Sequence, residues 1–285
     1  MSDQPDLLPD AVLRYADHDD GLIDVHLPRA TTTDDSVRRD TQLAVPEGAT
    51  RREGVGAAAG VVVLLVHGGF WKTAWDRRHT RAMARALAGE GFVVATPEYR
   101  RVGPGGSGGW PETGEDVRRA ADRLPELLDG IGVATGELRV TGHSAGGQLA
   151  LWLAATGLPA ERTVALAPVG DLRAAIDRRL GDDAVLRLLG NHDLEESLAA
   201  ADPMSLLDAR PAGDVHIVHG ARDDIVPVEL SRGLVERHPW VRLHETPGAH
   251  FEVIEPGSSD WTEVLRTICG DRDDVRQDGD GGGRR

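Results

Sequence analysis

Short unbroken apolar runs alternate along this chain with stretches whose apolar positions recur at helical spacing. Residues 61–66 (Val-Val-Val-Leu-Leu-Val) form a β-branched and leucine run of the kind buried on both faces of a parallel sheet. Runs at 92–95, 138–141, 163–167, 215–218 and 241–245 are predicted as further strands, and 22–27 as the first. A strand adjoining the first is predicted at 42–45, with loops at 31–40 and 47–60. Helices are predicted over 77–89, where Met83, Ala86 and Leu87 share a face, and over 114–129, 228–237 and 258–268, with another directly after Ser144. Residues 171–209 are charged and helical without a strand pattern, too long for an ordinary connection, and are expected to form a cap-like insertion. The alternation predicts an α/β fold with a mostly parallel central sheet flanked by helices, in one domain over 14–270. Residues 1–13 are expected to be an N-terminal arm. Residues 271–285, rich in Asp, Arg and Gly, have little to bury and are expected to be disordered.

Composition narrows the partners. Of 285 residues, 40% are apolar, enough for a sizeable core, and the formal net charge is −15. Such a charge repels nucleic-acid backbones and anionic membranes, so neither is an expected partner. Cys269 is the single cysteine, which excludes a disulfide within the chain and a cysteine-based metal site. No apolar run reaches membrane-spanning length, and the start lacks a basic and apolar leader. A cytoplasmic protein without metal or cofactor is expected, as a monomer or homodimer.

The chemistry is carried by residues 138–151. An apolar run ends in Gly142-His143-Ser144-Ala145-Gly146 and passes straight into a helix-forming segment. A strand, a sharp turn and a helix in that order expose a serine hydroxyl above a sheet, and the residues two before and two after it must be small. Serine is a weak nucleophile and needs a base, which in turn needs an orienting carboxylate. Among eleven histidines, His250 alone sits in a turn-rich loop after the last predicted strand, on the edge where the elbow lies. His143 is inside the elbow and is expected to point away from Ser144. His216 and His219 should face opposite ways, and His18, His26, His79, His192, His238 and His244 should face solvent. The loop after the preceding strand offers Asp223 and Asp224, of which only one can face His250, the other capping the next helix. Ester or amide cleavage also needs N–H donors for the oxyanion. His67-Gly68-Gly69-Phe70-Trp71, following the 61–66 strand, supplies those of Gly69 and Phe70, and Ala145 supplies another. A phosphate loop at this glycine pair is disfavoured, since neither nucleotide-binding glycine signature is present.

These motifs together resemble the α/β-hydrolase superfamily over residues 14–268. His219-Gly220-Ala221-Arg222-Asp223-Asp224-Ile225-Val226-Pro227 is similar to its acid loop and implies Asp223 as the acid. The His-Gly-Gly-Phe-Trp stretch resembles kynurenine formamidases and related small esterases, in which the second glycine and the next residue supply oxyanion donors. Glu98-Tyr99-Arg100 and Trp110-Pro111 with Asp116 resemble the same group and are expected to be structural. The implied activity is hydrolysis of a small carboxylic ester or activated amide through an acyl-enzyme on Ser144, His250 and Asp223. Phe70, Trp71, Trp110 and Met204 are candidate substrate-pocket walls. The alternatives are an arylformamidase acting on N-formylkynurenine and a non-catalytic ligand-binding protein of the same fold.

Overall fold

A computed structural model describes residues 5–28 and 60–270. The predicted strand at 42–45, the loops at 31–40 and 47–59 and the 271–285 tail lie outside the described residues. Eight strands form one sheet: β1 (Ala11–Arg14), β2 (Leu22–His26), β3 (Gly60–Val66), β4 (Val93–Pro97), β5 (Thr135–His143), β6 (Arg162–Leu166), β7 (Asp214–Gly220) and β8 (Arg242–Thr246). Their order is β1-β2-β4-β3-β5-β6-β7-β8, antiparallel at β1–β2 and β2–β4 and parallel elsewhere. The sheet is therefore mostly parallel, with the serine-bearing β5 at its centre. The last residues of the expected arm are part of it, because Ala11 pairs with Val25 and the Asp10 carboxylate accepts the Leu27 N–H.

Helices α1 (Arg81–Gly89), α2 (Glu112–Asp129) and α3 (Ala145–Ala155) fill the crossovers as far as β6. Between β6 and β7 come α4 (Leu172–Asp177), α5 (Leu180–Leu189), α6 (Leu194–Ala201) and α7 (Pro203–Leu206), and α8 (Glu229–Arg237) and α9 (Trp261–Cys269) follow as the last helices of the described residues. The sheet is buried on both faces. Val62, Leu64 and Val66 pack on the side of α2 and α3, while Val63 and Leu65 pack with Met83, Leu87, Val264 and Ile268. That two-sided burial is why β3 reads as an unbroken apolar run rather than an alternation. The 172–206 helices rest on α3 through Gln148, whose side-chain amide donates to the Ala201 carbonyl, and Trp152, whose indole donates to that of Ala200. No described helix is long and apolar enough to cross a membrane.

Candidate active site

Ser144 sits between β5 and α3 with φ 56° and ψ −115°, a strained conformation for a residue with a side chain. The turn closes because its flanks are glycine. A Cβ on Gly142 would lie 2.1 Å from the Gly146 carbonyl oxygen, and one on Gly146 would lie 2.2 Å from that of Val66. Neither clash can relax, since both neighbours are backbone. Ser144 is itself held by its N–H to Leu166 O at 2.8 Å.

His250, in the loop after β8, directs Nδ1 to Asp223 Oδ2 at 2.6 Å. Asp223, in the loop after β7, takes the Ile225 and Val226 N–H groups on Oδ1 at 2.9 and 2.8 Å. Burial alone would push its carboxyl up. Hydrogen bonds from His219 and His250, the charge of His250 and the Val226 N–H more than offset this and hold it well below the usual carboxylate range. An ionised carboxylate only accepts, so the proton of this bond sits on His250 Nδ1. Among the described residues Asp224 makes no such contact, and it does not cap α8 as expected, because the N-cap is Val228 and the turn's N–H groups of Ile225 and Val226 go to Asp223 instead.

The elbow and the histidine loop meet through His143. Its ring centroid lies 4.6 Å from that of His250, and its Nε2 is 2.9 Å from the His250 carbonyl oxygen. Burial, then the charge of His250, lowers the His143 pKa well below its ordinary value, so the ring is neutral and donates through Nε2. Among the described residues no hydrogen bond joins the Ser144 hydroxyl to His250; the elbow and the histidine loop touch through His143.

The loop after β3 wraps the elbow. A Cβ on Gly68 would lie 2.8 Å from the His143 carbonyl oxygen and 3.2 Å from Ser144 Cβ. Gly69, Phe70 and Trp71 follow with φ of 109°, 51° and 55°, three consecutive left-handed residues that turn the backbone N–H groups sharply. Among the described residues none of the N–H groups of Gly69, Phe70 and Ala145 is engaged in a backbone hydrogen bond. Beneath this loop His67 Nε2 lies 2.7 Å from Glu98 Oε1, and the Arg77 N–H donates to Glu98 Oε2 at 3.1 Å. Burial raises the Glu98 pKa, but His67 and Arg101 prevail and bring it down to about 2. Arg100 grips Asp116 with Nε and Nη2, both at 2.8 Å, which ties the Glu98-Tyr99-Arg100 stretch to α2.

The expected pocket walls are placed otherwise. Trp71 is fully buried and donates Nε1–H to Gln148 Oε1, and Trp110 stacks edge-on against Trp152. Met204 packs at the edge of the cluster around Leu207 and Leu234. A large aromatic beside a glycine loop suits a pocket or a core equally well from sequence, and here the core holds both tryptophans. Phe70 instead contacts the insertion, where a Cβ on Gly181 would come within 2.7 Å of its ring. Arg179, Gly181, Asp182 and Asp183 all have positive φ there, and Lys72 Nζ donates to the Gly181 carbonyl at 2.7 Å. Sequence reasoning missed this latch, along with His143 and His219. His26 and His238, expected to face solvent, are buried, each with Nε2 on a backbone carbonyl, of Leu7 and Met204 respectively. Among the described residues no group of three or more His, Cys, Asp or Glu side chains could hold a metal ion.

Comparison with known proteins agrees with this architecture. Esterase LipC of Mycobacterium tuberculosis is 26% identical over 230 residues, 70% of this chain and 54% of LipC. The probable carboxylic ester hydrolase LipM of the same organism is 27% identical over 194 residues, 62% of this chain and 44% of LipM. The chain thus spans about half the length of the curated relatives it matches. Among solved structures, esterase B from Lactobacillus rhamnosis superposes with a TM-score of 0.68 at 17% identity, covering 92% of this chain and 84% of that one, and shares the fold. The sequence model of the BD-FAE family matches residues 55–237, well over half of the chain and including both the glycine loop and the elbow. The chain belongs to the BD-FAE family, within the esterase group of α/β-hydrolases.

Proposed function

We propose that this protein is a serine hydrolase that cleaves small carboxylic esters through an acyl-enzyme on Ser144. The observation that carries the reading is the 2.6 Å bond from His250 to Asp223, on a loop that contacts the strained serine elbow through His143. In this reading the Ser144 hydroxyl attacks the substrate carbonyl carbon and its proton passes to His250 Nε2. The N–H groups of Gly69, Phe70 and Ala145 hold the resulting oxyanion. The tetrahedral species collapses, the C–O bond to the alcohol breaks, and the alcohol leaves with the proton from His250. Water, deprotonated by the same imidazole, then releases the acid and restores Ser144. The Ser144–His250 hydrogen bond forms as substrate binds, as such bonds often do in sites that are loose without ligand.

Esters are favoured over formamides because the relatives with named activities, LipC and LipM, are ester hydrolases. The test is a panel of p-nitrophenyl esters of graded acyl length alongside an aryl formamide, for the wild type and Ser144→Ala. Ester turnover abolished by Ser144→Ala, with formamide rates near background, is the expected result. Undiminished ester hydrolysis by Ser144→Ala would exclude the mechanism, and formamide turnover above ester turnover would move the assignment to an arylformamidase.

A further inference from the structure

The acid loop brings a second imidazole to Asp223. We propose that His219 is a positioning residue for the Asp223–His250 pair, acting through the carboxylate oxygen that the two imidazoles share; this rests on the serine-hydrolase reading above. His219 lies in β7 and is fully buried. Its Nε2 is 2.9 Å from the Val226 carbonyl oxygen and 3.2 Å from Asp223 Oδ2. A carbonyl only accepts, so Nε2 carries the proton and shares it between the two oxygens. On the other side Nδ1 is 2.7 Å from Ser231 Oγ in α8, which donates to it when the ring is neutral.

Asp223 then accepts from His250 and His219 on Oδ2, and from the Ile225 and Val226 N–H groups on Oδ1. Four donors leave the carboxylate no freedom to rotate away from His250. They also spread its charge, which sets how strongly it stabilises a protonated His250. A histidine four residues before the acid satisfies this geometry because Nε2 reaches both Asp223 Oδ2 and Val226 O. A purely structural His219 would tie β7 to α8 and affect stability alone.

The two roles separate in the pH profile. Removing the His219 donor leaves Oδ2 to His250 alone, making Asp223 a stronger partner for imidazolium, so the acid limb of kcat/KM moves to higher pH. The carboxylate also gains freedom to rotate, so kcat falls while KM, set elsewhere, holds. The other titratable groups facing this cluster are His143 from β5, against the His250 ring, and Glu245 from β8, which feels His219. Glu252 and Asp260 are bound to the N–H groups of Ala249 and Gly248 beside His250, and Arg232 of α8, next to Ser231, pairs with Glu245. These groups stay in place in the variants and cancel in the comparison.

For His219→Phe the expected result is a kcat lower by about 10-fold, and an acid limb raised by roughly half to one unit. His219→Gln places an amide N–H where Nε2 was and is expected to recover most of both, whereas His219→Asn, whose N–H falls at the Nδ1 position, is not. This pair serves also where the phenylalanine variant does not fold. Equal kcat and equal acid limbs for the Gln and Asn variants would overturn the proposal, as would a folded His219→Phe with wild-type kcat and pH profile. Failure of the underlying reading looks different: a fluorophosphonate then leaves the wild type unlabelled, whatever occupies position 219.

Discussion

Replacing Glu98 by Gln tests how the glycine loop is held. The Glu98 side chain is 2% exposed and faces His67, Arg77 and Arg101. Its pKa falls from 4.5 to about 2, in spite of burial, because of those partners. At about 1.36 kcal/mol per unit, that difference corresponds to about 3 kcal/mol of folding stability. Because the folded-state pKa is depressed, this stability is fully present above about pH 4.5 and is lost as pH falls toward about 2. Urea unfolding of wild type and Glu98→Gln at neutral pH and through that window is the assay. The variant is expected to be less stable by about 3 kcal/mol at neutral pH, with the gap narrowing as the solution is acidified. Ester turnover should fall too, since His67 leads directly into Gly68 and Gly69. A variant whose stability runs parallel to wild type across the window would refute the reasoning.

Other perturbations probe the remaining supports. Asp223→Asn should lower kcat by on the order of 10³–10⁴ with little change in KM, because an amide can hold the wrong His250 tautomer; steady-state kinetics on a p-nitrophenyl ester check this. Gly146→Ala puts a Cβ 2.2 Å from Val66 O, so the elbow cannot close, and the variant should be inactive and should melt at a lower temperature by circular dichroism. Gly181→Ala forces a side chain into φ 59° and against Phe70. It should cost about 1 kcal/mol in stability and lower kcat/KM more than the melting temperature alone would suggest; wild-type kcat/KM would show that the latch does not bear on the glycine loop after β3.

Much of the fold was readable because burial leaves a mark on composition. β3, β4 and β6 carry short apolar runs flanked by loops, whereas β8 (Arg-Leu-His-Glu-Thr) at the sheet edge is mostly polar, and the parallel pairing follows from the helices between the strands. The elbow was readable for a steric reason, since Gly142 and Gly146 face backbone that tolerates no side chain. Asp223 needed more than spacing, because two adjacent carboxylates compete and only the turn decides which one reaches His250. Residues whose importance lies in a partner distant in sequence stayed hidden. His143 acts on a carbonyl over a hundred positions away, and Phe70 is covered by a left-handed turn in the insertion that no local pattern announces. Trp71 and Trp110 show why pocket walls were hard to read, because an indole bonded to Gln148 or packed on Trp152 looks, in sequence, like one facing a cavity. His219 carried a signal in its place four residues before the acid, but strand alternation alone gave no reason to look beneath the carboxylate.

The central claim is that the serine at 144 is a nucleophile activated by the imidazole at 250. Its most direct test is to treat the wild type, Ser144→Ala and His250→Ala with a fluorophosphonate and locate the adduct by peptide mass spectrometry. A single adduct on Ser144 in the wild type, absent from Ser144→Ala and formed far more slowly in His250→Ala, is the predicted result. Labelling of Ser144 at the wild-type rate without the imidazole, or no adduct in the wild type, would contradict the account.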